Sequence, residues 1–240
     1  LLYKVAFMDY DVADISLAPG GQRKIEWVRK HMPLLRGIEK RFSESKPFAG
    51  VRVAVSIHFE AKTAYLATVL AAGGAEVSIT GSNPLSTRDE AAAALAADGL
   101  RVYAHHGASH ETYLKHIDKV LDCAPHIVID DGGDLVHRLH TVRTELLGGI
   151  LGVCEETTTG VLRAMALEKE LLLRLPVIAV NSAYCKHLFD NRYGTGQSVW
   201  DAINGTTNLL VAGKQVVVVG YGWCGKGIAM RAKGMGALVT

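Results

Sequence analysis

No stretch of the 240 residues approaches the roughly 20 apolar positions of a membrane-spanning helix. No basic run is present either, and the net charge is only +2, so neither a membrane nor nucleic acid is an expected partner. Cysteine is sparse. Cys123, Cys154, Cys185 and Cys224 lie far apart, without C-x-x-C spacing. That pattern argues against a disulfide framework and a zinc ribbon, and predicts reduced thiols in a cytoplasmic protein. Signal-peptide, repeat and low-complexity patterns are also missing. What is there is an ordinary globular composition, 49% hydrophobic and 21% charged. Its length suits one complete domain plus part of another.

The most informative stretch is Lys214 to Gly227. Val216 to Val219 form a short apolar run, as expected of a strand buried on both faces. Gly220, Gly222 and Gly225 then fill a G-x-G-x-x-G pattern around Tyr221, Trp223 and Cys224, and Ile228, Ala229, Met230 and Ala232 continue as a helix. Strand, glycine turn and helix is the context in which this fingerprint binds a dinucleotide. Gly220 serves the tight turn, Gly222 admits the pyrophosphate and Gly225 lets helix and strand pack closely. The helix N-terminus then presents unpaired N–H groups to the phosphates. The bland reading is a glycine-rich turn in an ordinary α/β unit. The fingerprint lies close to Thr240, and the acidic residue that would hold the cofactor ribose is expected beyond Val239. With Leu1-Leu2 at the start, the chain reads as an interior piece of a longer protein.

Elsewhere the pattern alternates strand and helix. Ile25, Trp27, Val28, Met32, Leu35, Ile38 and Phe42 recur at helical spacing, with a break expected at Pro33. Val51, Val53, Val55 and Ile57 alternate as a strand, and Ala61 to Ala72 follow as a helix stopped by Gly73-Gly74. Further strands are expected at Glu76–Thr80, Val102–Ala104, Ile127–Asp130, Gly149–Val153 and Val177–Val180. Thr87 and Glu90 match a capping box before the helix Ala91–Ala97. The fold class is α/β: a doubly wound parallel-sheet domain, followed by the start of a Rossmann domain. We place the domains at 1–190 and 191–240.

Ligands of such sheets bind beyond the carboxyl ends of the strands. The polar residues there are His58, Asn83, Asp130, Asp131, Glu155, Glu156 and Asn181. Each taken singly could be structural. Asp130 to Asp134 could be a helix N-terminus rich in carboxylates, and Thr157, Thr158 and Thr159 could cap a helix. Lys186 and Asp190 stand four apart, a spacing that also suits a solvated ion pair. The Asp, Glu and His spacings match no metal-ligand motif, so no metal is expected.

Several blocks in this order resemble the adenosylhomocysteinase (S-adenosyl-L-homocysteine hydrolase) family over nearly the whole chain. They are Ser82-Asn83-Pro84-Leu85-Ser86-Thr87, Asp130-Asp131-Gly132-Gly133-Asp134-Leu135, Glu155-Glu156-Thr157-Thr158-Thr159-Gly160, Asn181 with Lys186, Phe189-Asp190-Asn191, Tyr193-Gly194, and the glycine turn. The resemblance implies a tightly held NAD that oxidises the ribose 3′-hydroxyl of the substrate. Loss of the C4′ proton then expels homocysteine from C5′, water adds, and the hydride returns. It implies that Lys186, Asp190 and Asn191 handle the ribose hydroxyls, with Asn191 also near the cofactor, that Glu156 binds the ribose, and that Asn181 supports the lysine. His58 and Asp131 would transfer protons at C4′ and C5′. Glu60, Lys62 and Thr63 would lie in the base-binding loop, and Thr157, Thr158 and Thr159 would reach the NAD. A homotetramer and small-molecule partners are implied as well, and the 240-residue piece alone would be inactive.

Two departures stand out. Thr195 replaces a cysteine found in many relatives, and Glu60 and Lys62 stand where many carry Thr and Glu. The second keeps open hydrolysis of S-inosylhomocysteine. A lysine only donates and suits the hypoxanthine O6, a carboxylate only accepts and suits N1–H, and adenine needs the reverse pairing. A non-catalytic relative that binds a partner protein, and a plain dehydrogenase that releases NADH, are the alternatives of other classes.

Overall fold

A computed structural model describes residues 9–240. They divide into two compact units, the first ending at Ile178 and the second running Ala179–Thr240. The segment Lys186–Thr195 packs on helices of the second unit.

The first unit opens with β1 (Asp11–Val12), α1 (Ala18–His31) and α2 (Pro33–Ser45). The helices part at Met32, whose ψ of 71° leaves the helical region immediately before Pro33. Alternation follows: β2 (Arg52–Ile57), α3 (Ala61–Ala72), β3 (Glu76–Gly81), α4 (Asp89–Ala97), β4 (Arg101–Ala104), α5 (His110–Leu121) and β5 (Ile127–Asp130). Then come α6 (Asp134–Thr141), β6 (Gly152–Glu155), α7 (Thr158–Lys169) and β7 (Val177–Ala179). The seven strands form one sheet in the order β1-β4-β3-β2-β5-β6-β7, and each pairing from β1 to β6 is parallel.

Period-two side-chain direction splits each strand between two cores. Val53, Val55 and Ile57 of β2 pack with Ile25 and Val28 of α1, Tyr65 of α3 and Leu95 of α4. Ala54 points to the other face, where Val128, Leu135, Leu139 and Ile117 bring α5 and α6 onto the sheet. Covering both faces explains why the β2 sequence is buried almost without interruption. The six buried residues Ala91–Ala96 keep α4 slim enough to sit under α1.

The second unit holds α8 (Gly196–Thr207), β8 (Gln215–Val216), α9 (Trp223–Gly234) and β9 (Leu238–Val239). β8 and β9 pair in parallel across α9, and Trp200, Val211, Ala232 and Ala237 form their core. Val216 and Val218 are half-buried under the helices of this unit, while Val217 and Val219 are exposed. Among the described residues no helix is long and apolar enough to cross a membrane.

Candidate active site

The sheet order reverses between β2 and β5, the switch point at which doubly wound sheets leave a crevice. His58 follows β2 and Asp131 follows β5, and they face each other there, with Nε2 of His58 3.6 Å from Oδ2 of Asp131. Ser82, just after β3, donates its hydroxyl to the same Oδ2 at 3.0 Å. On the other side of the ring, Nδ1 of His58 lies 2.6 Å from Ser86 Oγ. The same Ser86 Oγ lies 3.0 Å from the Asn83 carbonyl oxygen. Ser86 Oγ thus lies within reach of both Nδ1 and the Asn83 carbonyl, while Nε2 faces the acceptor oxygen of Asp131. The His58 side chain is 55% exposed and that of Asp131 only 7%, so the ring is the accessible member of the pair.

The four strand-end acids separate into builders and rim groups. Asp130 is fully buried and accepts from the N–H groups of Asp131 and Val136. Burial pushes its carboxyl up to about 8, so it holds a proton at neutrality. Glu155, also buried, accepts from the N–H groups of Gly132 at 2.9 Å and Thr157 at 3.0 Å, and burial raises its pKa as well. A Cβ on Gly160 would collide with that carboxylate, which is why the first turn of α7 needs glycine there. Arg163 closes the loop by donating to the Gly132 carbonyl and to Asp134. These contacts leave Asp131 and Glu156 as the rim acids, with the Glu156 N–H tied to the Asp130 carbonyl. Thr157 stands at the N-cap of α7 without a side-chain cap bond, so the capping expectation fails there; Thr158 and Thr159 are exposed on the first turn.

A second correction concerns capping at α4. Arg88 is the N-cap, and Thr87 donates instead to the Asn83 carbonyl, so the expected Thr87/Glu90 box does not form. The box lies at α3. Glu60 accepts from the N–H groups of Lys62 and Thr63, and Thr63 Oγ1 accepts from the Glu60 N–H. Thr63 also donates to the His58 carbonyl, tying this turn to the imidazole. Lys62 Nζ lies 3.5 Å from Glu60 Oε2, with its side chain 64% exposed.

The second unit gathers Asn181, Lys186 and Asp190. Lys186 Nζ donates to Asn181 Oδ1 at 2.9 Å and lies 3.8 Å from Asp190 Oδ2. The lysine side chain is 12% exposed, against 57% for the aspartate. The segment Lys186–Thr195, including half-buried Asn191, is a π-helix, a rare geometry that recurs at functional sites.

The glycine turn fits a dinucleotide. Gly220 has φ +93°, and a Cβ on Gly225 would strike the Gly220 carbonyl oxygen. A Cβ position on Gly222 has nothing within 4 Å, which leaves room for a pyrophosphate. Lys226 is the first residue of α9 whose N–H returns to the helix, to Gly222 O, so the amides of Trp223, Cys224 and Gly225 face off its end. Tyr221 and Trp223 lie under the Lys226 ammonium, and Trp223 stacks on His187.

The sequence candidates therefore fall into two sets. His58, Glu60, Lys62, Thr63, Asp131, Glu156 and the threonines belong to the first unit; Asn181, Lys186, Asp190, Asn191 and the glycine turn belong to the second. Ser82 and Ser86, which orient the acid–imidazole pair, had no role assigned from sequence, although both lie in the Ser82–Thr87 block. A local hydroxyl has no spacing signal of its own.

A doubly wound parallel sheet with an acid–imidazole pair at its switch point, in one chain with a strand–glycine turn–helix unit, defines a dinucleotide-dependent α/β protein. The family model described as S-adenosyl-L-homocysteine hydrolase matches residues 9–146, and that of its NAD-binding domain matches residues 191–240. The chain belongs to the S-adenosyl-L-homocysteine hydrolase family, and NAD is the cofactor that the second match indicates. It is similar to the adenosylhomocysteinase of Pyrococcus abyssi, 61% identical over 231 residues, covering 96% of this chain and 55% of that protein. It is also similar to the S-inosyl-L-homocysteine hydrolase of Methanocaldococcus jannaschii, 60% identical over 231 residues, covering 96% and 56%. The enzyme of the same name from Methanothermobacter thermautotrophicus is 58% identical over 232 residues, covering 97% and 56%. The chain spans about half the length of the curated relatives it matches.

Proposed function

We propose that the whole protein catalyses reversible hydrolysis of S-adenosyl-L-homocysteine to adenosine and L-homocysteine. The observation that carries this reading is the pair His58 and Asp131 at the switch point, an accessible imidazole facing a largely buried carboxylate. When bound, NAD supplies reversible hydride removal at the ribose 3′-carbon. Lys186, held by Asn181, takes the 3′-hydroxyl proton, while Asp190 and Asn191 bind the ribose hydroxyls and Glu156 orients the ring. His58 Nε2 and Asp131 move the protons at C4′ and at the C5′ leaving group and water. Thr157, Thr158, Thr159, Asn191 and the turn Gly220–Gly225 bind the cofactor. We assign residues 1–190 to substrate and 191–240 to NAD, and propose a cytoplasmic homotetramer.

A second reading, hydrolysis of S-inosyl-L-homocysteine, is favoured by the helix cap. Both backbone N–H groups go to Glu60 Oε1 and Lys62 Nζ lies 3.5 Å from Oε2, so the exposed ammonium is the donor of this acid–base pair nearest solvent. A donor suits the O6 of hypoxanthine.

The test uses the full-length protein. Thiol release should proceed with no net NADH accumulating, and Lys186→Ala should abolish reduction of bound NAD by the nucleoside in a single turnover. Stoichiometric NADH release, or unchanged reduction in the variant, defeats the reading.

A further inference from the structure

We propose that Asp11, His105 and His116 form a site for one divalent transition-metal ion of the zinc type, ligated by both imidazole Nε2 atoms and the Asp11 carboxylate. The three residues come from separate elements. Asp11 lies on β1 opposite Tyr103 of β4, His105 directly follows β4, and His116 lies on α5. Nε2 of His105 is 2.7 Å from Asp11 Oδ1, and Nε2 of His116 is 3.0 Å from Asp11 Oδ2. All three ligand atoms lie within 4.8 Å of one another. Bonds of about 2.0–2.2 Å to zinc place neighbouring tetrahedral ligands roughly 3.3 Å apart. The two nitrogen–oxygen contacts would open by up to roughly 0.6 Å, and the two Nε2 atoms, within 4.8 Å of each other, would settle to the same spacing.

The chemistry of the donors suits such an ion. Two imidazoles and one carboxylate are borderline ligands, and together they carry a single negative charge. The two rings meet edge to face, at 81°, and aim the same nitrogen at the same carboxylate. His116 is 3% exposed, so one ligand is fixed by the core, while Asp11 at 55% leaves a coordination position open to water. The site opens on a cleft of about 360 Å³ in which Asp9, Asp11, Asp118 and Asp122 outnumber Lys115 and Lys119. The bland alternative is a carboxylate that simply accepts from two neutral imidazoles.

The location indicates what the ion would do. β1 is a two-residue edge strand, so its backbone pairing to β4 is slight. A metal would clamp it to β4 and α5 at once. β3 separates β4 from β2, which places this staple away from His58 and outside the proposed chemistry.

The experiment strips the full chain with a chelator and titrates it with zinc by calorimetry, with cobalt(II) absorption as a reporter of coordination. We expect one ion per chain, the spectrum of a four-coordinate nitrogen–oxygen site, and a melting temperature that rises with zinc. His105→Ala and Asp11→Asn, both at accessible positions, should each weaken binding by at least about tenfold and remove the rise. The absence of a stoichiometric site, or binding that survives both substitutions, overturns the proposal. So does binding with no effect on the melting temperature, which would remove the staple.

Discussion

Ser86 Oγ lies 2.6 Å from Nδ1 of His58 and 3.0 Å from the Asn83 carbonyl oxygen, so one serine in a turn holds the ring that faces Asp131. Ser86→Ala should lower kcat of the full-length enzyme about tenfold, a part of the roughly 10²–10⁴-fold that a positioned base contributes. KM should change little, and Ser86→Thr should restore most of the loss. Steady-state kinetics across pH check this; a parent-like kcat in the alanine variant refutes a positioning role for Ser86.

Lys62 is the variable that separates the two base preferences. Lys62→Glu removes the donor beside the Glu60 cap and should lower kcat/KM for the inosine substrate relative to the adenosine one. A mispaired buried group costs about 1–3 kcal/mol, so the ratio should move by roughly 10- to 100-fold. Measuring both substrates with both proteins decides it, and a constant ratio means Lys62 does not touch the base.

Gly160→Ala forces a methyl group into the Glu155 carboxylate. Overpacking of this kind costs about 1–3 kcal/mol, and the Asp131–Gly133 loop should loosen with it. Gly20→Ala is the contrasting case, since its Cβ meets nothing within 4 Å inside α1. It should be neutral or raise stability by up to about 1 kcal/mol. Urea unfolding of both variants checks the contrast.

Asp130 predicts a pH dependence. Its carboxyl is raised by burial from 3.8 to about 8, so between those values the unfolded chain has released a proton that the folded chain keeps. Its contribution to stability is therefore full below pH 3.8 and is lost progressively up to about pH 8. Asp130→Asn, a mimic of the protonated form, should flatten this slope. Denaturation midpoints measured across that range should converge at the acid end and separate toward pH 8.

How much was legible depended on whether a signal was local. β2 and α3 follow directly from Val53-x-Val55-x-Ile57 and the apolar stretch ended by Gly73. The capping boxes were misassigned for a chemical reason. Thr87 and Glu90 match the hydroxyl-then-acid template, but Asn83 captures the Thr87 hydroxyl. The box that forms runs acid then hydroxyl, from Glu60 to Thr63. Asp130 and Asp131 look equivalent in the chain; β5 turns one inward and leaves the other to His58. Asp11 lies 94 and 105 positions from its two histidines, beyond any spacing rule.

The π-helix at Lys186–Thr195 has an evolutionary corollary. Each backbone N–H there reaches one residue further than in an α-helix, so the segment behaves as if it carried an insertion. Deleting one residue, for example Gly194, would let the ladder relax to the ordinary repeat. Each residue of an α-helix advances by about 100°, so everything on one side of the cut would swing by that angle relative to the other. Lys186 and Asp190, on one side of the cut, would then be turned relative to α8 and its Trp200 on the other. A change in length here, unlike one in an exposed loop, would disable the protein without removing any of the residues assigned to its chemistry.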